Sequence, residues 1–246
     1  MTLKNRSVNF LNDNQHGAAL LLLLSVIALG AAITFVNIFH QSRIEQRRER
    51  STQIAIAQAK AALVGFAVIH GRLPKPAISQ FDGREIQEQC LDENQCTGLI
   101  PWVTLGVDGF DGWDKRLAYS VVPELTVANF PSLTVIPNKV VFTRNSDGKP
   151  IYIVGHPKCT VANPCAPAVV LSHGRNNFGF NLSGISLPNL SERNVDEIKN
   201  ATGTNQFILR SATNSSNSPG GSYDDQLGWV SIRALYLPMN AAGVLR

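Results

Sequence analysis

The stretch from Ala18 to Phe39, AALLLLLSVIALGAAITFVNIF, decides the fold of this chain. It contains 22 residues and no charged side chain. A helix needs about 20 apolar residues to cross the hydrocarbon core of a bilayer. The apolar core of a cleaved secretory signal is shorter, about 7–15 residues. The stretch therefore predicts one transmembrane helix, rather than a secretory signal or the buried helix of a soluble domain.

The helical pattern continues beyond the apolar stretch. No proline occurs between Gly17 and Leu73, and apolar residues recur at spacings of three and four. Gly71 and Pro74 are helix-ending signals. We therefore expect one helix from about Ala18 to His70. The apolar stripe of its second half consists of Ile56, Ala59, Leu63, Phe66 and Ala67.

After Pro74 the sequence changes to short β-type runs separated by Gly, Pro, Asn and Asp. The sum predicts an α+β fold, in which a long N-terminal helix with a membrane half and a soluble half packs on an antiparallel β-sheet. The predicted strands are Leu117–Val122, Lys139–Arg144, Ile151–Val154, Ala168–Ser172, Gln206–Arg210 and Trp229–Ile232, with a hairpin turn at Ser146–Lys149. The predicted divisions are 1–17, a short cytoplasmic leader or tail; 18–39, the transmembrane helix; 40–72, its soluble continuation; and 73–246, a β-rich periplasmic domain.

Four cysteines occur as two pairs with the same spacing. Cys90 and Cys96 bracket five residues, and so do Cys159 and Cys165. Two local disulfides are the simplest of the three connectivities that four cysteines allow. Zinc is the alternative, although paired cysteines in zinc sites usually have two to four residues between them. Disulfides persist in oxidising compartments, so the pairs favour a domain outside the cytoplasm.

The charge distribution argues against a nucleic-acid partner. The net charge is +4, and the basic stretch from Arg43 to Arg50 is interrupted by Glu45 and Glu49. The same stretch would favour a cytoplasmic C-terminal side under the positive-inside rule. Long downstream domains translocate with little regard for charge, and the cysteine pairs favour a location outside the cytoplasm. We therefore expect a single-pass inner-membrane protein with its C-terminal domain in the periplasm.

No constellation in the sequence predicts catalysis. Ser172 and His173 are adjacent on a predicted strand, where side chains point to opposite faces, so His173 is badly placed to activate Ser172. We expect no catalytic residue, no cofactor and no enzymatic activity.

Aspartates that could bind calcium have a simpler interpretation as turn residues. Asp108, Asp111 and Asp114 recur every third residue, which differs from the EF-hand pattern, and Asp224 and Asp225 are adjacent. We predict no metal site from the sequence.

Several segments together resemble a known group, the type IV pilin-like proteins and the pseudopilins of type II secretion. The resemblance begins with Gly17 ahead of an apolar run and touches most of the chain in the usual order. It is specific as a set and weak motif by motif. The segments are Ala57–Pro76, Ile100–Val107, Asp111–Val121, Ala168–Gly179 and Asp224–Leu245.

The resemblance implies a structural role. Such subunits are cut after the glycine by a prepilin peptidase and methylated, which here would fall between Gly17 and Ala18. They assemble through their N-terminal helices, so the implied partners are the lipid bilayer, other pilin-like subunits and the peptidase. The alternative for Gly17 and Ala18 is an uncleaved signal anchor with a short cytoplasmic tail.

Two departures from the group's pattern shape the functional expectation. His16 precedes Gly17 where the group usually has Lys or Arg, and Leu22 stands at the fifth position after the glycine, where many members have Glu. That Glu is thought to neutralise a neighbouring subunit's amino terminus. The expectation is therefore a minor subunit of a type IV pilus or type II secretion apparatus. The alternative is a membrane-anchored periplasmic binding module that never polymerises.

Overall fold

The computed structural model of the protein describes residues 15–128, 130 and 134–245, with the backbone alone for residues 15–19 and 37–39. The chain divides into two compact units, Met1–Arg47 and Arg48–Arg246. The first helix, α1, runs from Gln15 to His70. It ends where the sequence predicts, because Gly71 takes a left-handed φ of 66° and donates its N–H to the Ala67 carbonyl at 2.8 Å.

The second unit is an α+β domain, as predicted. Its elements after α1 are β1 (Thr97–Leu99), α2 (Trp102–Leu105), β2 (Ala118–Val121), a 3-10 turn (Pro123–Thr126), β3 (Val140–Arg144), β4 (Pro150–Val154), β5 (Ala168–Ser172), α3 (Val195–Thr202), β6 (Gln206–Ile208), β7 (Gln226–Val230) and α4 (Ile232–Ala241).

A four-stranded antiparallel sheet in the order β1-β2-β5-β7 is the centre of this domain. Every residue of β5 is buried, because both faces of this central strand are covered. One face contributes Val170 to the core cluster that includes α1 residues. The other face contributes Val169 and Leu171 to a second cluster. The alternation follows from the two-residue period of a strand.

The predicted apolar stripe of α1 is the stripe that packs into the domain. Ala59, Leu63 and Ala67 are fully buried, and Ile56 and Phe66 nearly so. The helix approaches the sheet closely at β7, since a Cβ added to Gly228 would lie 2.8 Å from a methyl carbon of Ile56. Tertiary packing of this amphipathic half therefore stabilises the helix beyond its own propensity.

A second sheet differs from the single antiparallel sheet that the sequence led us to expect. It has three strands in the order β4-β3-β6, and β3 pairs with β6 in parallel. The chain reaches β6 from β4 through β5 and α3, a long connection of the kind that parallel pairing requires. The predicted hairpin joins β3 to β4, and Asn145 Oδ1 caps its turn by accepting the N–H groups of Asp147 and Lys149.

The predicted strand Trp229–Ile232 is wrong at both ends. Strand β7 begins earlier, at Gln226, and ends at Val230. Ser231 then caps α4, its hydroxyl oxygen accepting the Ala234 N–H at 3.1 Å. Ile232 is therefore the first residue of a helix, one that holds Pro238 in its interior.

Candidate membrane helix and buried acidic cluster

The first half of α1 exposes an uninterrupted apolar surface. From Leu20 to Val36 every described side chain is exposed, and the large aliphatic and aromatic side chains among them are all more than half exposed. The two polar side chains in this stretch bond back to their own helix, Ser25 to the Leu22 carbonyl and Thr34 to the Ala31 carbonyl, each at 2.8 Å. No polar side-chain group of residues 20–36 therefore needs water.

In the described part of the chain, α1 is the one helix that is long and apolar enough to cross a membrane by length and composition. This finding is compatible with single-pass anchoring.

The expected processing site lies at the start of α1. The backbone of Gly17 and Ala18 is helical, and the side chain of Ala18 falls outside the described residues. Residues 1–14 of the expected leader also lie outside them. Cleavage after Gly17 remains a prediction.

The cysteines lie in the pairs that the spacing favours. The sulfurs of Cys90 and Cys96 are 1.94 Å apart, and those of Cys159 and Cys165 are 2.05 Å apart. The first pair is buried in the main core, where it closes the loop before β1. At the second pair, Gly155 has a φ of 75°, and a Cβ there would lie 2.3 Å from the Cys165 sulfur. A side chain at Gly155 would therefore clash with this pair.

Ser172 is the buried end of strand β5 and is bonded as a structural group. Its hydroxyl donates to Asp111 Oδ2 at 2.6 Å and accepts the Gly174 N–H at 3.0 Å. Asp111 Oδ1 accepts the backbone N–H groups of Trp113 and Lys115. The interpretation of Asp111 as a turn residue is thus supported, and the Ser172 proton is committed to a carboxylate rather than to a histidine base.

The other candidate residues of this loop are dispersed. Asp108 and Asp114 are exposed, and Asp114 has the left-handed φ of 61° typical of a turn. Trp102 is buried and stacks on the Arg116 guanidinium, whose central carbon lies 3.5 Å from the ring centroid. Trp113 and Trp229 are half-buried.

Lys115 is a buried cation held by backbone carbonyls. Its ammonium donates to the Asn177 carbonyl at 3.0 Å and to the Asn176 carbonyl. Burial lowers its pKa, and the negative charges of nearby carboxylates, Asp224 first among them, oppose that shift.

Three carboxylates converge beside Lys115. One oxygen each of Glu197, Asp224 and Asp225 lies within 4.8 Å of the others. Glu197 comes from the first turn of α3, and the aspartates from the segment just before β7. Glu197 and Asp225 are buried, and Asp224 is half-buried. Among the described residues this is the one group of such side chains close enough to share a metal ion.

The electrostatics of this cluster disfavour three bare negative charges. Burial, with the nearby charges of Glu197 and Asp225, raises the pKa of Asp224 to about 7, although the Asn176 N–H and Lys115 pull it down. Burial likewise raises the pKa of Asp225 against the opposing effect of His173.

A cavity of about 270 Å³ lies on the face of the four-stranded sheet that carries Val169 and Leu171. Its lining is mostly apolar, with Phe178 and Phe207 among the contributors, and His173 and Asn200 add polar groups. The sequence analysis did not predict this cavity, because the residues that line it come from strands, loops and α3 that are far apart in the chain.

The acidic cluster could be recognised only in part from the sequence. The adjacent aspartates were visible, but Glu197 lies 27 residues before Asp224, inside a helix that the sequence analysis missed. The signal that was available is Asn194 before the acidic pair Asp196 and Glu197, a pattern typical of a helix N-terminus.

Comparison with protein-family models, with curated proteins and with solved structures finds no match to this chain.

Proposed function

We propose that the chain is a membrane-anchored, pilin-like structural component of a type IV pilus or type II secretion apparatus, of the minor-subunit type. One observation carries the proposal. The same helix, α1, leaves its apolar residues 20–36 bare and buries its later stripe, Ile56 to Ala67, in a disulfide-bearing domain. The first half of such a helix has an apolar surface suited to lipid or to other apolar helices. Its second half packs into the core of a domain that is exposed to water.

The bare half of α1 has the surface that helix packing in lipid uses. Ala28, Gly30, Ala31 and Ala32 are small, and a Cβ added to Gly30 would meet no atom within 4 Å. Small residues let helix backbones approach each other closely. Lipid and neighbouring helices are equally apolar, so the hydrophobic effect alone cannot drive the transfer of the helix from one to the other. This supports a helix stored in the inner membrane and then packed into a filament core by an assembly machine.

The minor-subunit assignment rests on Leu22. This residue is 68% exposed and uncharged, and the chain has no Asp or Glu between Asp13 and Glu45. A repeating subunit that neutralises its neighbour's amino terminus would need a carboxylate here. The two local disulfides support a domain in an oxidising compartment, which in this proposal is the periplasm.

Site-directed crosslinking tests the proposal. All four native cysteines are in disulfides, so an introduced cysteine is a unique thiol. In cells that express a pilus or secretion machine, Ala28→Cys should crosslink to a cysteine in the N-terminal helix of another pilin-like subunit. Ser216→Cys, on an exposed loop of the domain, is the control and should not crosslink to that helix. Absence of the Ala28→Cys product in assembling cells would contradict the proposal.

A second function, a membrane-anchored periplasmic binding module that never polymerises, is favoured by the same Leu22 and by the cavity beside His173. It predicts that Ala28→Cys gives no crosslink to another subunit while the chain stays in the membrane. The same experiment therefore separates the two functions.

A further inference from the structure

We propose that Arg116 and the exposed apolar side chains on the segments that adjoin it dock a segment of a partner protein, one that carries a carboxylate beside large apolar side chains. These residues are called the Arg116 surface below, and its apolar members are Ile78, Phe81, Val103, Leu182 and Ile185. The proposal does not depend on the role of α1 in the membrane.

Arg116 is a buried cation without a counterion in the described part of the chain. Its side chain belongs to a residue that is only 8% exposed, and the guanidinium carbon lies 3.5 Å from the Trp102 ring centroid and 3.8 Å from that of Phe110. Among the described residues, its Nε and Nη1 are buried and have no hydrogen-bond partner. Burial lowers the pKa of this guanidinium, and no carboxylate of the described residues opposes that shift.

Arginines that are half-buried elsewhere in the domain do have a carboxylate partner. Arg72 pairs with Glu85 at an N–O distance of 2.7 Å, and Arg144 and Arg210 pair with Asp196 at 2.6 and 2.9 Å. Taking a cation out of water without such a partner is unfavourable, and contacts with aromatic faces offset only part of that cost. A carboxylate from another chain would supply the missing partner through charge-assisted hydrogen bonds.

Two turns carry apolar side chains next to Arg116. The Arg116 N–H donates to the Phe180 carbonyl at 2.8 Å, directly before the turn at residues 181–185. Phe81, on the other turn, packs against this one, because a Cβ added to Gly184 would clash with the Phe81 ring. The two turns and the arginine are therefore neighbours on one part of the domain.

The turn that carries Phe81 also contacts the aromatic ring beneath the guanidinium. A Cβ added to Gly83 would clash with the Trp102 ring, and the Val103 N–H donates to the Gly83 carbonyl at 3.0 Å. Apolar side chains on these segments are between 44% and 71% exposed, namely Ile78, Phe81, Val103, Leu182 and Ile185. Exposed apolar groups that cluster on a surface commonly mark an interaction site, and Arg and Trp are frequent at the centre of such sites.

The chemistry of the Arg116 surface fits a protein segment better than a small molecule or a membrane. Its apolar side chains are too exposed to form an enclosed pocket, which a small molecule would need. Recognition of an anionic membrane uses clusters of Lys and Arg. Arg84, the other cation on these turns, already pairs with Asp82 at 2.6 Å. One uncompensated guanidinium beside apolar side chains is matched by one carboxylate beside apolar side chains.

Peptide titration of the full, ¹⁵N-labelled chain in non-ionic detergent micelles tests the proposal. The probe is a pool of acetylated, amidated tripeptides with Glu at the centre and Phe, Leu, Ile or Val on either side, and the matched pool has Gln at the centre. NMR follows the Nε–H of Arg116 and the indole N–H of Trp102. The Glu pool should shift both resonances to saturation, and the Gln pool should bind at least about tenfold more weakly. No shift with the Glu pool, or equal affinity for the two pools, would overturn the proposal.

Sodium phosphate, titrated in the same way, represents the headgroups of an anionic membrane. It should bind at least about tenfold more weakly than the Glu pool, because it makes no apolar contact. Phosphate that binds as tightly as the peptides would favour a membrane surface and overturn the assignment to a protein partner.

Variants locate the site, with Trp102 as the reporter. Arg116→Lys keeps the charge but loses the planar fork, and it should weaken binding of the Glu pool at least about tenfold. Arg84→Gln removes an exposed cation from the neighbouring turn and is the matched control, which should bind as the wild type does. Wild-type affinity in Arg116→Lys would overturn the assignment. If Arg116→Lys does not fold, Phe81→Ser, at a 71% exposed position, should weaken binding at least about threefold, and wild-type affinity there would overturn it equally.

Discussion

Gly112 shows how a single residue joins the long helix to the domain. A Cβ added to Gly112 would lie 2.1 Å from the carbonyl oxygen of Arg48 in α1. The Gly112 N–H also donates to Thr52 Oγ1 at 2.9 Å, and Thr52 is fully buried. The absence of a side chain at this position is therefore what lets the loop touch the helix backbone.

We predict that Gly112→Ala destabilises the domain by about 1–3 kcal/mol, because the loop must move off α1 to relieve the clash. Denaturant unfolding of the two proteins measures the difference. Gly65→Ala is the control within α1. A Cβ there meets nothing within 4 Å, so it should stabilise the helix by about 0.5–1 kcal/mol. A neutral Gly112→Ala would show that the loop is not in contact with the helix.

Arg72 and Glu85 form a bidentate ion pair just beyond the end of α1, with N–O distances of 2.7 and 2.8 Å. Burial would raise the pKa of the Glu85 carboxyl, but the hydrogen bonds from Arg72 and from the Lys75 N–H outweigh it and hold the pKa below its usual 4.5. A depressed folded-state pKa contributes stability that is present above the unfolded value and is lost as the pH falls through the folded value.

Glu85→Gln should therefore cost about 1 kcal/mol at pH 7. The gap in unfolding free energy between wild type and variant should shrink as the pH falls below 4.5. Urea unfolding at a series of pH values measures it. Asp82→Asn removes an exposed local pair with Arg84 and should leave stability unchanged at pH 7. A gap for Glu85→Gln that stays constant with pH would refute the role of the ion pair.

At the scale of elements, α1 joins the domain by burying its apolar stripe in the main core, which it shares with residues of the four-stranded sheet. Leu63 is fully buried on the packed face of α1, whereas Ile69 is 76% exposed on the same helix. Helix stability here depends on the buried stripe, because an isolated helix gains little from propensity alone.

Leu63→Ala should lower the free energy of unfolding by about 2–5 kcal/mol, since it leaves a cavity in the main core. Ile69→Ala removes a similar side chain from the exposed face and should change it by less than about 0.5 kcal/mol. Thermal or urea unfolding compares the two variants. Equal costs would mean that the stripe does not pack as described.

The elements also show what the sequence could and could not predict. The end of α1, the buried stripe and the β3–β4 hairpin were predictable because each depends on local signals, a terminal glycine, a 3.6-residue period and an Asp–Gly turn. The parallel pairing of β3 with β6 was not, because partner and direction depend on a crossover through β5 and α3. Helix α4 was missed because Pro238 interrupts its pattern and Trp229–Val230 reads as a strand that continues into Ile232.

The candidate sites also differ in whether the sequence could predict them. The cysteine pairs were predictable from spacing alone. The acidic cluster was not predictable, because its carboxylates are held by hydrogen bonds from residues spread over a loop and a helix. The donors are the backbone N–H of Asn176 and the side-chain amides of Asn177, Asn194 and Asn200. Hydrogen-bond networks of that kind have no sequence period.

At the scale of the whole molecule, the proposed function places the two units of the chain in different surroundings. The apolar surface of residues 20–36 would expose a large hydrophobic area to water, which soluble monomers avoid. The second unit, Arg48–Arg246, has its own core and two disulfides. Anchoring of the first and exposure of the second outside the cytoplasm is the central claim.

Protease accessibility of the full-length chain in a Gram-negative host tests that claim most directly. The chain should stay in the membrane pellet after alkaline carbonate extraction. Its domain should be digested when protease is added to spheroplasts, yet remain intact in whole cells. Recovery of the chain in the soluble fraction, or a domain in spheroplasts that only lysis makes accessible to protease, would contradict the account.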